Sequence, residues 1–170
     1  MYEIDDKDRI VALDAIPKPD AGAPMPMVVA NERRLIVSYL VQGPPTKWDP
    51  VELEVSRFED ETATVSFDML SFKFGYPNDE AMFGHPLYER GLRSYGAWEV
   101  LDSSWTRRLE RMNRAHDMHN PAIFHSYHHF ILTFHDTMLE CIANGFNVER
   151  HKEAPSEAMR RNMDWLLGQT

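Results

Sequence analysis

The chain has 170 residues, 43% of them hydrophobic and 26% charged, a length and composition that fit one globular domain. Its 27 acidic residues outnumber 18 Lys and Arg, a net charge of −9 that repels a phosphate backbone and argues against nucleic-acid partners. A single cysteine, Cys141, excludes an internal disulfide, and the acidic start MYEIDDKDR lacks the apolar run of a signal peptide, so a cytoplasmic, non-membrane chain is expected.

Residues 1–30 read as an extended, Pro-rich arm, because PKPDAGAPMPM can continue neither a helix nor a central strand. A single α+β domain is expected over 31–170. RRLIVSYLVQ (33–42) is a β-branched strand stopped by GPP, and VELEVSRF (51–58) alternates as a half-buried strand should. In TATVSFDMLSFKF (62–74) the apolar phase changes from Val65, Phe67 and Met69 to Leu70, Phe72 and Phe74. That change predicts a β-bulge or bend near Met69–Ser71, or burial on both faces.

Residues 75–96 are punctuated by glycine and proline and read as an ordered loop. AWEVL (97–101) is a short strand. DSS (102–104) offers helix caps, and Trp105, Leu109 and Met112 form the apolar stripe of a helix over about 104–115. YHHFILTF (127–134) and MLECIA (138–143) form a hairpin, after which ANGF breaks the pattern. A last helix opens at Pro155, with Met159, Met163 and Leu166 as its stripe. The strands are joined by hairpin-length connections rather than helices. An antiparallel, curved sheet of about six strands is therefore expected, open or partly closed into a barrel or roll, with two packed helices.

Six of the eight histidines lie within residues 116–135, where even spacing would place about one. With a two-residue turn at Asp136-Thr137, His135 faces Met138, Thr133 faces Glu140 and Leu132 faces Cys141. Alternation then puts Phe130, Leu132, Phe134, Leu139, Cys141 and Ala143 on a core face, with Cys141 an inert thiol. His128 takes the core-side parity. His129, Ile131, Thr133, His135, Met138, Glu140 and Ile142 share the other face, which suits a cavity wall or, in the plainer reading, faces solvent.

Three sets of residues could carry chemistry. His135 and Glu140, diagonal neighbours in this register, could act with His85 and with Asp79 or Glu80 in acid–base catalysis. Capping of a short helix by Asn78 or Asp79 is the plainer account of the second group. His129 and Thr133 could contact a ligand, with Arg107, Arg111 and Arg114 at helical spacing as a basic stripe for an acidic group or protein partner. His116, His119 and His135 could hold a divalent metal, zinc or iron, although zinc wants three or four ligands and the spacing compels none. Two functions follow as expectations: a non-catalytic domain binding a small molecule or a protein, or a small-molecule enzyme of His–carboxylate chemistry.

Overall fold

A computed structural model describes residues 3–43 and 61–168. Among these residues seven strands form one antiparallel sheet that does not close: β1 (Arg9–Ala12), β2 (Met27–Ala30), β3 (Arg34–Leu40), β4 (Thr62–Gly75), β5 (Gly96–Leu101), β6 (His128–Thr133) and β7 (Met138–His151). Their spatial order is β1-β5-β6-β7-β4-β3-β2. Two helices pack on it, α1 (Ser104–Asn113) and α2 (Pro155–Leu167). The expected strand at 51–58 lies outside the described residues. No helix among the described residues is long and apolar enough to cross a membrane.

The first 30 residues supply both edges of the sheet, β1 against β5 and β2 against β3. Between them Ile16 is buried in the core, and the Tyr39 hydroxyl donates to the Pro17 carbonyl at 2.7 Å.

One face of the sheet carries the main core: Leu35, Val37, Tyr39, Ala63, Val65, Phe67, Phe130, Leu132, Leu139, Cys141 and Ala143. The side chains show how strongly it bends. Flat strands lie about 4.8 Å apart, so β3 and β6, three spacings apart, would be separated by about 14 Å. The Tyr39 and Phe134 rings nevertheless meet with centroids 5.2 Å apart, and Phe67 reaches Phe130 at 5.6 Å. The sheet curls its apolar face inward.

The curl has a local cause. Register shifts fall between Phe67 and Met69 and between Met69 and Ser71. The first places an extra residue in β7, between Ala143 and Phe146. The second places one in β4, at Leu70, and restores the pairing sum. This is the expected phase change at Met69–Ser71. It also explains why ANGF does not end the strand: Asn144 and Gly145 absorb the bulge, and β7 runs on to His151. Beyond Asp68, β4 pairs with β7 alone, and Leu70, Phe72 and Phe74 stand half-exposed there.

The opposite face is buried too. Toward β2 and β3 it is covered by α2, where Asn162 donates to Ser38 at 3.2 Å. The stripe in α2 is Ala158 and Leu166; Met163 points outward. Over β5, β6 and β7 lie Met82, Leu87 and Leu92 from the 76–95 loop and Trp105 from α1. Met112 of α1 is exposed.

Candidate functional site

The β6–β7 hairpin positions the site. Thr133 pairs with Met138, Leu132 with Leu139 and Ile131 with Glu140, so the register is shifted two residues from the expected one. The turn spans four residues, closed by the Phe134 N–H donating to the Thr137 carbonyl. Pairing on β6 ends at Thr133, two residues before the expected His135, and Phe134 is buried in the core against Tyr39. An even shift preserves every face, and the six expected core residues are all buried. What changes is Glu140's diagonal neighbour, which becomes His129 instead of His135. His128, expected on the core side, lies at the strand's exposed start and pairs with Glu99 at 2.6 Å.

His129 is fully buried, and Glu140 is 7% exposed. The His129 Nε2 lies 3.2 Å from Glu140 Oε2, and its Nδ1 lies 2.9 Å from the Ser103 hydroxyl. Trp105 stands edge-on to the imidazole at 5.2 Å. Lys73, paired with Glu140 across β4 and β7, brings its ammonium to 3.9 Å from Oε1 and 4.1 Å over the Trp105 ring.

Burial pulls the His129 pKa below its ordinary value, against the raising effect of Glu140. A neutral imidazole has one donor and one acceptor. A carboxylate at Glu140 only accepts, so Nε2 carries the hydrogen and Nδ1 keeps the lone pair that takes the Ser103 O–H. Burial lowers the Lys73 pKa as well, with Glu140 opposing, and lowers that of His85, whose charge also senses Glu140 and His129.

Ser103 sits at a sharp strand–turn–helix junction. β5 ends at Leu101, Asp102 adopts a left-handed φ of 53°, and Ser103 caps α1 by accepting the Thr106 N–H at 3.3 Å. Asp8 fixes the junction from the N-terminal segment: one oxygen accepts the Ser104 N–H at 2.6 Å and the other the Asp5 N–H at 2.8 Å. Ser103 and Thr106 line a cleft of about 380 Å³ walled by Phe124, Tyr127, His125 and His128. The Thr106 hydroxyl is buried there with no hydrogen-bond partner among the described residues.

The expected residues fall into separate places. His135 is part-exposed in the hairpin turn, 3.1 Å from Asp136 and 3.9 Å from Asp79. Hydrogen bonding to Asp136, then the charge of Asp79, raises its pKa. Asp79 also accepts from the Tyr95 hydroxyl. His135 and Asp79 thus meet, whereas Glu140 belongs to His129 and no hydrogen bond or ion pair joins His85 to His135. Glu80 is exposed, and Asn78 accepts the Ala81 N–H as a turn cap. Thr133 is buried and spends its hydroxyl on the Gly96 and Arg93 backbones.

In the basic stripe, Arg107 pairs with Asp5 and Arg114 with Glu110. Arg111 lines a second, larger hollow of about 680 Å³, where Arg107 and Arg108 face Glu3 and Asp5 and much of the charge cancels. The metal set does not assemble: His119 is held by Glu110 at 3.0 Å and by Asn113, and His116 accepts the Met118 N–H. No group of three metal-ligating side chains occurs among the described residues. Cys141 is buried, and burial raises its thiol pKa well above the ordinary value.

No family model matches the sequence, and no curated protein or solved structure matches the chain.

Proposed function

We propose that this chain is a small-molecule-binding domain whose ligand occupies the cleft between the β5–α1 junction and residues 124–128. The observation that carries this reading is the Ser103–His129–Glu140 chain. It is buried along its length and meets the cleft at Ser103, beside the unpartnered Thr106 hydroxyl. Buried polar groups are costly unless satisfied, so the shielded, unpaired hydroxyl of a residue lining the cleft gains a partner if its side chain rotates toward a ligand acceptor. The volume, about 380 Å³, fits a small organic molecule. Phe124 and Tyr127, with rings 5.8 Å apart, favour an apolar or aromatic body, and Thr106 favours a carbonyl oxygen. Arg107 is engaged by Asp5, which argues against a strongly anionic ligand.

The test is titration with acetophenone and benzamide, read by backbone amide NMR shifts. Saturable shifts confined to 103–107 and 124–128, weakened by Thr106→Val and Phe124→Ala, are expected. No shift at millimolar ligand, or shifts clustered at the arginine-lined hollow, would overturn the reading.

A further inference from the structure

We propose that Ser103 is a nucleophile and that the cleft hydrolyses small, uncharged carboxylic esters; this rests on the cleft being the binding site. A serine hydroxyl is a weak nucleophile unless a neighbouring base takes its proton and a third group orients that base. All three parts are present. The Ser103 hydroxyl lies 2.9 Å from His129 Nδ1, within the range for proton transfer. Burial lowers the His129 pKa and favours the neutral ring, in which Nδ1 takes the Ser103 hydroxyl and Nε2–H is donated to Glu140 at 3.2 Å. Here Nδ1 faces the serine and Nε2 the carboxylate, and the roles of base and orienting group are assigned from that geometry.

The strand–turn–helix junction fits that task. Asp102, in the left-handed region, turns the chain so that Ser103 stands at the positive end of the ten-residue α1. Its Oγ already accepts the Thr106 N–H at 3.3 Å, which fixes the position of the hydroxyl. The Thr106 hydroxyl has no hydrogen-bond partner among the described residues and is shielded from solvent; rotation of its side chain toward the cleft makes it a donor for the substrate's carbonyl oxygen as it gains charge.

The step balances without any further cofactor. Ser103 Oγ bonds to the ester carbonyl carbon as its proton passes to His129 Nδ1. The tetrahedral centre collapses, the carbon–alkoxy bond breaks, and the departing alcohol takes the proton back from Nδ1. Water then enters by the same route, giving a carboxylic acid and free Ser103. Glu140 is a positioning residue: it touches neither substrate nor reacting atoms and acts through His129.

The full chain is treated with p-nitrophenyl acetate and, separately, with an alkyl fluorophosphonate, followed by peptide mass spectrometry. One adduct on Ser103 is expected. Ser103→Ala should abolish it while remaining folded by circular dichroism. Thr106→Val should slow acylation about 100-fold. Glu140→Gln should lower the rate and move the acid limb of the pH–rate profile to lower pH, since the carboxylate that raises the His129 pKa is gone. A merely structural Glu140 would leave that limb in place. Acetophenone binding without any Ser103 adduct overturns the nucleophile and leaves the binding site standing. An adduct on another residue, or equal labelling of Ser103→Ala, overturns it too. Loss of both binding and labelling in folded protein overturns both.

Discussion

Removing the Glu140 side chain strikes a buried ion-pair and hydrogen-bond contact. The carboxylate is 9% exposed, accepts from His129, faces the Lys73 ammonium, and sits on a central strand against Ile131. Truncating one member of a buried pair destabilises by about 3–5 kcal/mol, because the other group keeps its desolvation cost. Glu140→Gln keeps the volume and an acceptor for Nε2–H and loses only charge, so its cost should be nearer that of one hydrogen bond to a charged group, about 1.5–3 kcal/mol. In a domain of this length each kcal/mol moves the melting temperature by roughly 2–4 °C. Glu140→Ala should therefore melt about 6–20 °C below the native chain, with Glu140→Gln clearly between the two. Calorimetry or circular dichroism at pH 7.5 reads the difference. Equal losses for the two variants, or a loss below about 1 kcal/mol for Glu140→Ala, would refute the reasoning, because an exposed ion pair costs no more than that.

Three further outcomes follow from the same contacts. His129 and His85 have pKa values lowered by burial, so below the ordinary value of 6.5 the unfolded chain binds more protons, and stability should fall as pH drops from 7 to 5. His135 acts oppositely, stabilising at low pH and losing its contribution as pH rises through its raised value, but it is solvent-exposed and screened. A melting temperature that is flat or rises over that window would contradict burial of neutral histidines. Asp8→Ala removes two charge-assisted backbone contacts and should cost about 1.5–3 kcal/mol in denaturant unfolding, with faster amide exchange at Ser104; unchanged exchange would show that the α1 junction holds without it. Trp105→Ala should cost about 3–5 kcal/mol, since Trp105 is 6% exposed and packs on Ile142 and His129; a loss under 1 kcal/mol would mean α1 is not anchored there.

The strand faces were legible in the sequence because alternation has a period of two, and a register error of two residues leaves it intact. The bulge at Met69–Ser71 was legible for the same reason, as a break in that period. Position along the strand was not. It depended on the length of the turn, four residues at 134–137 rather than two, which the alternation of the flanking strands does not state. That two-residue error moved Glu140's partner from His129 to His135 and hid the site. Ser103 was readable only as a helix cap; its second role needs β5 beside β6, which no local pattern states. The helix stripes failed at Met112 and Met163, where a periodic methionine found no facing surface and Ala158 packed instead. The arginine stripe was real in spacing, but Asp5 and Glu110 claimed Arg107 and Arg114.

The proton on His129 tests the central claim most directly. Long-range proton–nitrogen NMR of imidazole-labelled protein at pH 7 distinguishes the two tautomers and the cation. A neutral ring is expected, because burial lowers the His129 pKa, with hydrogen on Nε2 donated to Glu140 and an unprotonated Nδ1 facing Ser103. A ring protonated at Nδ1, or an imidazolium, would contradict it.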